Sequence, residues 1–113
     1  MKRDSNGYEL HKNGDKTWRN STGQYHRTDG PAVEWADGSK YWYINGQLHR
    51  TDGPAVEFAS GSKEWFVNGQ YHRTDGPAIE RADGTKEWWF KGKKISKEEY
   101  YSNEFQVKIV MES

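Results

Sequence analysis

The sequence predicts an all-β fold: a meandering antiparallel sheet of tandem β-hairpin repeats, closed by a short C-terminal capping helix or strand. Three observations predict it. The phrase His-Arg-Thr-Asp-Gly-Pro-Ala stands at residues 26–32, 49–55 and 72–78, a constant period of 23. The match runs beyond the phrase: residues 23–45 and 46–68 agree at 17 of 23 positions, and residues 46–68 and 69–91 agree at 15. A fixed period of this size marks a repeat array. Each copy also holds Asp-Gly or Ser-Gly between two β-prone runs, a strong short-range hairpin signal.

Residues 1–22 form a degenerate N-terminal capping repeat. Asn13-Gly14-Asp15-Lys16-Thr17-Trp18 echoes Asp37-Gly38-Ser39-Lys40-Tyr41-Trp42, but the step from Trp18 to Gly23 is one residue longer than that from Trp42 to Gly46. Terminal repeats are commonly atypical, because one of their faces has no neighbour. Residues 23–91 are the three full repeats. In the first, residues 31–36 are one arm, Asp37-Gly38 the turn and residues 39–44 the second arm, with a further turn at Asn45-Gly46. Ser60-Gly61 and Asp83-Gly84 repeat the first turn; Asn68-Gly69 and Lys91-Gly92 repeat the second.

A two-residue type I′ loop at Asp37-Gly38 sets the register. Val33 then faces Trp42, Pro31 faces Ile44 and Trp35 faces Lys40; Val56 faces Trp65, and Ile79 faces Trp88. One face becomes an aliphatic–Trp ladder of the kind that stabilises sheets. The other pairs Ala32 with Tyr43, Ala55 with Phe66 and Ala78 with Trp89. The same register opposes Glu57 to Glu64 and Glu80 to Glu87. Like charges directly opposite are destabilising, so a neighbouring cation is expected between them, Arg50 and Arg73 first. Asp29, Asp52 and Asp75 are expected to accept backbone N–H groups in Asx-type turns. Gly30, Gly53 and Gly76 would supply permissive φ, and Pro31, Pro54 and Pro77 the entry to the next strand.

Residues 92–113 are the C-terminal cap. Ser96-Lys97-Glu98-Glu99 reads as a capping box, with Ile95 and Tyr100 at the hydrophobic-staple positions. A short helix is expected over residues 97–103. The tail over residues 105–111 alternates Val107, Ile109 and Met111 with other positions, which favours a strand over a continued helix.

Composition excludes several classes. Seventeen basic and 17 acidic residues give no net charge, whereas nucleic-acid binders carry a surplus of Lys and Arg. The absence of cysteine removes disulfide frameworks and thiolate metal sites and fits a reducing cytoplasm. No apolar run nears the roughly 18 residues of a membrane span, and the first residues carry no signal-peptide core. Mean hydropathy is −1.23, yet 15% of the chain is aromatic. Disordered chains are poor in aromatics, so a thin fold with a core built from rings is expected.

The repeat resembles MORN repeats, 23-residue hairpin units with Trp, Gly and His in order and an Asp-Gly turn. Asp37-Gly38, Trp42, Asn45-Gly46 and His49 follow that order, and Trp65, Gly69, His72 and Asp83-Gly84 repeat it. The Gly-x-Gly after the MORN His is replaced here by Arg-Thr-Asp-Gly-Pro-Ala, and the Tyr-x-Gly before its Trp is absent. In that respect the chain more closely resembles His-Arg-x-Asp-Gly-Pro-Ala tandem repeats of tailed bacteriophages and large DNA viruses. The resemblance implies a hairpin sheet and a phage origin, and it brings no activity, catalytic residue or cofactor.

His26, His49 and His72 each have an Asp three residues on. Equivalent positions in successive hairpins lie about 9.5 Å apart, too far to share one metal ion, so no metal site is expected. Catalysis is disfavoured as well, because a triplicated active site in so small a chain has no purpose. Arg27, Arg50 and Arg73 could hold a nucleotide or phosphate, which is the alternative reading. The leading one is a non-enzymatic protein that binds a host protein. Regular arrays present extended surfaces, and aromatics and Arg dominate interface hot spots. The series Trp35, Phe58, Arg81 changes character from repeat to repeat, which no core position tolerates, so it is expected to be partly exposed and to contribute to recognition. An exposed sheet edge also offers a route to a homodimer.

Overall fold

A computed structural model describes residues 2–3 and 7–112. In chain order the strands are β1 (Lys2–Arg3), β2 (Glu9–Leu10), β3 (Lys16–Thr17), β4 (Val33–Glu34), β5 (Lys40–Tyr41), β6 (Tyr43–Ile44) and β7 (Gln47–Leu48). They continue with β8 (Val56–Glu57), β9 (Lys63–Glu64), β10 (Phe66–Val67), β11 (Gln70–Tyr71), β12 (Ile79–Glu80), β13 (Lys86–Phe90) and β14 (Lys93–Ile95). Two helices follow, α1 (Lys97–Tyr100) and α2 (Asn103–Glu112). Ten strands make one antiparallel sheet in the order β1-β2-β3-β4-β5-β8-β9-β12-β13-β14, while β6-β7 and β10-β11 are separate ribbons. The sheet is open. Part of the degenerate first copy falls on Met1, Asp4, Ser5 and Asn6, outside the described residues.

The molecule is long and thin, 52 × 31 × 17 Å, with a radius of gyration of 16.0 Å. A compact domain of this length would have about 13 Å. No helix among the described residues is long and apolar enough to cross a membrane.

The two turns of each repeat are of different kinds, and this corrects the predicted register. At the first, Trp35 N–H donates to Ser39 O and Gly38 N–H to Trp35 O, each at 2.9 Å. Gly38 has φ 97°, but Asp37 is not at positive φ. The loop is therefore three residues long, a type I turn followed by a left-handed glycine, instead of a two-residue type I′ turn. The type I′ turns lie at Asn45-Gly46 (φ 47° and 82°), Asn68-Gly69 (52° and 80°) and Lys91-Gly92 (50° and 83°).

One extra loop residue moves every pairing by one. Val33 faces Tyr41, Val56 faces Glu64 and Ile79 faces Glu87; the expected Trp partners and the Ala–ring pairs do not form. Nor do the Glu57–Glu64 and Glu80–Glu87 oppositions. A single row across the sheet instead runs Lys16, Glu34, Lys40, Glu57, Lys63, Glu80, Lys86, each facing the next. Charges alternate all along it. In the next row Val33, Val56 and Ile79 are buried and alternate with Tyr41, Glu64 and Glu87; Ala32, Ala55 and Ala78, one residue before them, are buried as well.

The degenerate copy keeps the first turn and changes the second. His11 N–H donates to Asp15 O (2.9 Å) as Trp35 does to Ser39. Asn20 N–H donates to Gln24 O and Gly23 N–H to Asn20 O. The additional residue before Gly23 is thus spent on a three-residue loop where later copies have two.

The cap differs from expectation in two places: the first helix stops at Tyr100, with a turn at Tyr101 and Ser102, and the tail over residues 105–111 is helix throughout. Ser96 Oγ accepts the Glu99 N–H at 3.1 Å, and Ile95 and Tyr100 meet in the cap core with Phe90, Phe105 and Ile109. Phe105 and Ile109, four residues apart, are the buried pair of α2, while Val107 and Met111 are exposed. The period-two alternation was coincidental, since β14 already ends the sheet and a helix alone stacks Phe105 and Ile109 on Phe90. The hydroxyl of Tyr100 donates to Arg73 O at 2.6 Å and lies 3.4 Å from the Gly76 N–H that it accepts.

Candidate functional site

The repeated phrase builds a corner, and its Arg is the centre of it. Arg27 Nε donates to Asp29 Oδ1 (2.8 Å), and its Nη1 reaches Pro31 O (3.1 Å) and Glu34 Oε2 (3.3 Å). Arg50 does the same with Asp52 (2.9 Å), Pro54 O (3.0 Å) and Glu57 (3.1 Å). Arg73 repeats it with Asp75 (2.8 Å), Pro77 O (2.9 Å) and Glu80 (2.9 Å). Each guanidinium lies 3.8 Å from the centre of a ring, Trp18, Trp42 and Trp65 in turn. Cation–π contacts of this kind are worth about 0.5–2 kcal/mol, more when water is excluded. Arg50 and Arg73 do meet Glu57 and Glu80, but each within its own repeat and not between two opposed glutamates, because Glu57 faces Lys63 and Glu80 faces Lys86.

Two details of the corner are corrected. The carboxylates of Asp29, Asp52 and Asp75 take the Arg Nε–H, and that bond holds Asp29 below the usual carboxylate range. The Asx-type bond belongs to the hairpin turns, where Asp37 receives Ser39 N–H (2.8 Å) and Asp83 receives Thr85 N–H (2.9 Å). The corner glycines serve space. A Cβ on Gly30 or Gly53 would lie 2.9 Å from the Arg Cζ, and on Gly76 3.0 Å, while Gly30 and Gly53 are not at positive φ and Gly76, at φ 159°, is close to extended.

The histidines link repeats. His26 Nδ1 accepts the Asn45 N–H (3.0 Å), His49 Nδ1 the Asn68 N–H (3.0 Å) and His72 Nδ1 the Lys91 N–H (2.9 Å). Each donor is the first left-handed residue of the following type I′ turn. Around it Gly46 N–H donates to Tyr25 O and Arg27 N–H to Tyr43 O, so each ribbon docks on the one before. A second dock lies at the first turn, where Asp15 Oδ1, Ser39 Oγ and Ser62 Oγ receive the N–H of Ala36, Ala59 and Ala82. An Nδ1 that accepts must be unprotonated. Burial, aided by the nearby Lys91, lowers the pKa of His72, in keeping with that role. Among the described residues no three His, Asp or Glu side chains gather as they would around a metal ion.

The row that varies lies elsewhere. Trp35 is 37% exposed, Phe58 half-buried and Arg81 exposed. Tyr41 stands between the first two, edge-on to Trp35 at 5.6 Å and to Phe58 at 6.0 Å. These rings line a shallow depression with Asn13, Asp15 and Ser39. Arg81 is set apart by charge, donating to Glu87 Oε2 at 2.8 Å and holding that carboxyl below its ordinary value. Tyr71 donates to Glu64 at 3.2 Å; burial first, then the Glu64 charge, push the Tyr71 hydroxyl up to about 12. The row therefore passes from aromatic to ionic along the array.

No family model, no curated protein and no solved structure matches the chain. It is a hairpin-repeat protein by its geometry. Of the residues named from sequence, Arg27, Arg50, Arg73, His26, His49 and His72 are drawn into the hairpin corners and junctions. Trp35 and Phe58 converge on one surface. Sequence reasoning missed Tyr41 as the ring joining them. Its signal was present, since the repeat writes Tyr41, Glu64 and Glu87 at that position, as variable as the Trp35 series.

Proposed function

We propose that this chain is a non-enzymatic binding protein whose partner is a host protein, engaged through the Trp35–Tyr41–Phe58 surface. The reading extends to a phage-encoded inhibitor of a bacterial defence system, and this extension rests on the resemblance of the repeat phrase alone. The observation that carries the binding role is the cluster of rings at Trp35, Tyr41 and Phe58: Trp35 is exposed, Tyr41 and Phe58 are half-buried against Ala55, Val56 and Phe66, and all three line one shallow depression. Exposed aromatics in a shallow depression are what interface hot spots are made of. The Arg stripe that could have held a nucleotide spends its Nε and Nη1 groups on the corner.

Replacing Trp35 and Phe58 by Ala should weaken partner binding by about 2 kcal/mol or more with the melting temperature nearly unchanged. Pull-down from bacterial lysate with wild-type and doubly substituted protein, beside a thermal melt of each, checks this. A collapse in melting temperature would make the rings core. A thermal shift with nucleotides in the absence of any captured protein would move the function to the Arg side.

A further inference from the structure

The cap shows what a corner can hold. Tyr100 of α1 sits in the last corner, where its hydroxyl bridges Arg73 O (2.6 Å) and Gly76 N–H (3.4 Å). Gly76 and Pro77 are buried there. The other two corners have the same internal geometry: the Arg–Asp, Arg–Pro and Arg–Glu distances of the three agree within 0.4 Å, and each Arg lies 3.8 Å from its Trp. Yet Gly30, Pro31, Gly53 and Pro54 remain half-exposed. Neither Arg27 O and Gly30 N–H nor Arg50 O and Gly53 N–H has a hydrogen-bond partner among the described residues. The residues of both pairs line clefts. One runs from Arg27 and Gly30 to Trp42, Ile44 and His49; its counterpart runs from Arg50 and Gly53 to Trp65, Val67 and His72. Each offers a carbonyl acceptor, an amide donor and apolar walls, the same set that Tyr100 satisfies in the third.

We propose that these two clefts are binding sites for tyrosine side chains of a protein partner, with Tyr100 as the built-in occupant of the third. A phenol fits because its hydroxyl both donates and accepts, while its ring covers the apolar wall. The partner is a polypeptide carrying two tyrosines, since the sites repeat at about 9.5 Å. In an extended polyproline-type segment, residues three apart are separated by about 9.3 Å. The clefts share no lining residue with the Trp35–Phe58 depression, so this proposal stands or falls separately from the one above.

The test is a titration of the intact chain followed by amide NMR, first with p-cresol and with toluene as the control lacking a hydroxyl. The Gly30 and Gly53 amides should shift saturably with p-cresol, respond at least threefold less to toluene, and leave Gly76 unmoved because Tyr100 already fills its site. A blocked Tyr-Pro-Pro-Tyr peptide should then bind at least tenfold more tightly than Phe-Pro-Pro-Tyr, through the second engaged site. Silence at Gly30 and Gly53, equal response to toluene, or movement of Gly76 overturns the phenol site. Cresol binding without any gain for the two-tyrosine peptide overturns the protein partner. Shifts that appear on concentrating the chain alone would assign the clefts to a second copy and overturn it too.

Discussion

At the residue scale, the same side chains that suggest chemistry in the sequence turn out to be joints. Arg50 uses a planar fork to reach Asp52, Pro54 O and Glu57 while its Cζ sits over the Trp42 ring, 3.8 Å from its centre. A lysine keeps the charge and loses the fork. Arg50→Lys should therefore cost about 2 kcal/mol, the scale of a charged hydrogen bond lost together with its stacking, read as a lower denaturation midpoint at constant slope. His72 makes a different prediction. Its folded pKa is depressed below the ordinary 6.5, so the unfolded chain binds the proton more readily. The junction is at full strength above that value and weakens as pH falls through it. Thermal melts between about pH 7 and pH 5 should show this loss, and His72→Gln, which accepts without titrating in this range, should flatten that part of the profile.

At the element scale, stability rests on turn chemistry. Strands of two residues form no lasting hairpin by themselves, and here two kinds of turn hold them in register. The glycine at the first turn admits the third loop residue, and the resulting slip turns opposed Glu pairs into the Lys–Glu row. The second turn needs two left-handed residues. Asn45 and Asn68 suit that conformation, whereas Lys91 holds φ 50° at a cost on the order of 1 kcal/mol. Lys91→Asn should raise stability by about 0.5–1 kcal/mol in chemical denaturation. The ion pair it removes, Lys91 with Glu112 at 4.0 Å between exposed side chains, is too weak to reverse the sign. Much of this was legible: Asn-Gly and Asp-Gly were read as turns correctly, but the dipeptide does not say whether the residue before it joins the loop.

At the scale of the whole molecule, the array is a one-dimensional stack whose repeats lean only on their neighbours. Its open end is closed by Phe90, Ile95, Tyr100, Phe105 and Ile109. Replacing Phe105 and Ile109 by Ala together should cost about 4 kcal/mol or more, and the loss should spread into the adjoining repeat because Tyr100 is tied to Arg73 and Gly76. Hydrogen exchange should show protection lost first at the C-terminal repeat and last toward the N-terminal ones. Sequence reading foresaw a cap there and misjudged its tail, because alternation over Val107, Ile109 and Met111 is the same pattern whether or not a strand exists to receive it.

By itself the sequence determined the repeat, its period, the all-β architecture and the places where the chain turns. These follow from local rules, written into glycine, proline and hairpin dipeptides that act within a few residues. Only the tertiary structure decided the register, the helical tail and the tasks of the repeated His and Arg. The reason is distance: His49 meets Asn68, and Arg50 meets Trp42 and Glu57, across separations set by how one hairpin lies on the next. It likewise decided that Tyr100 fills one corner and leaves two open.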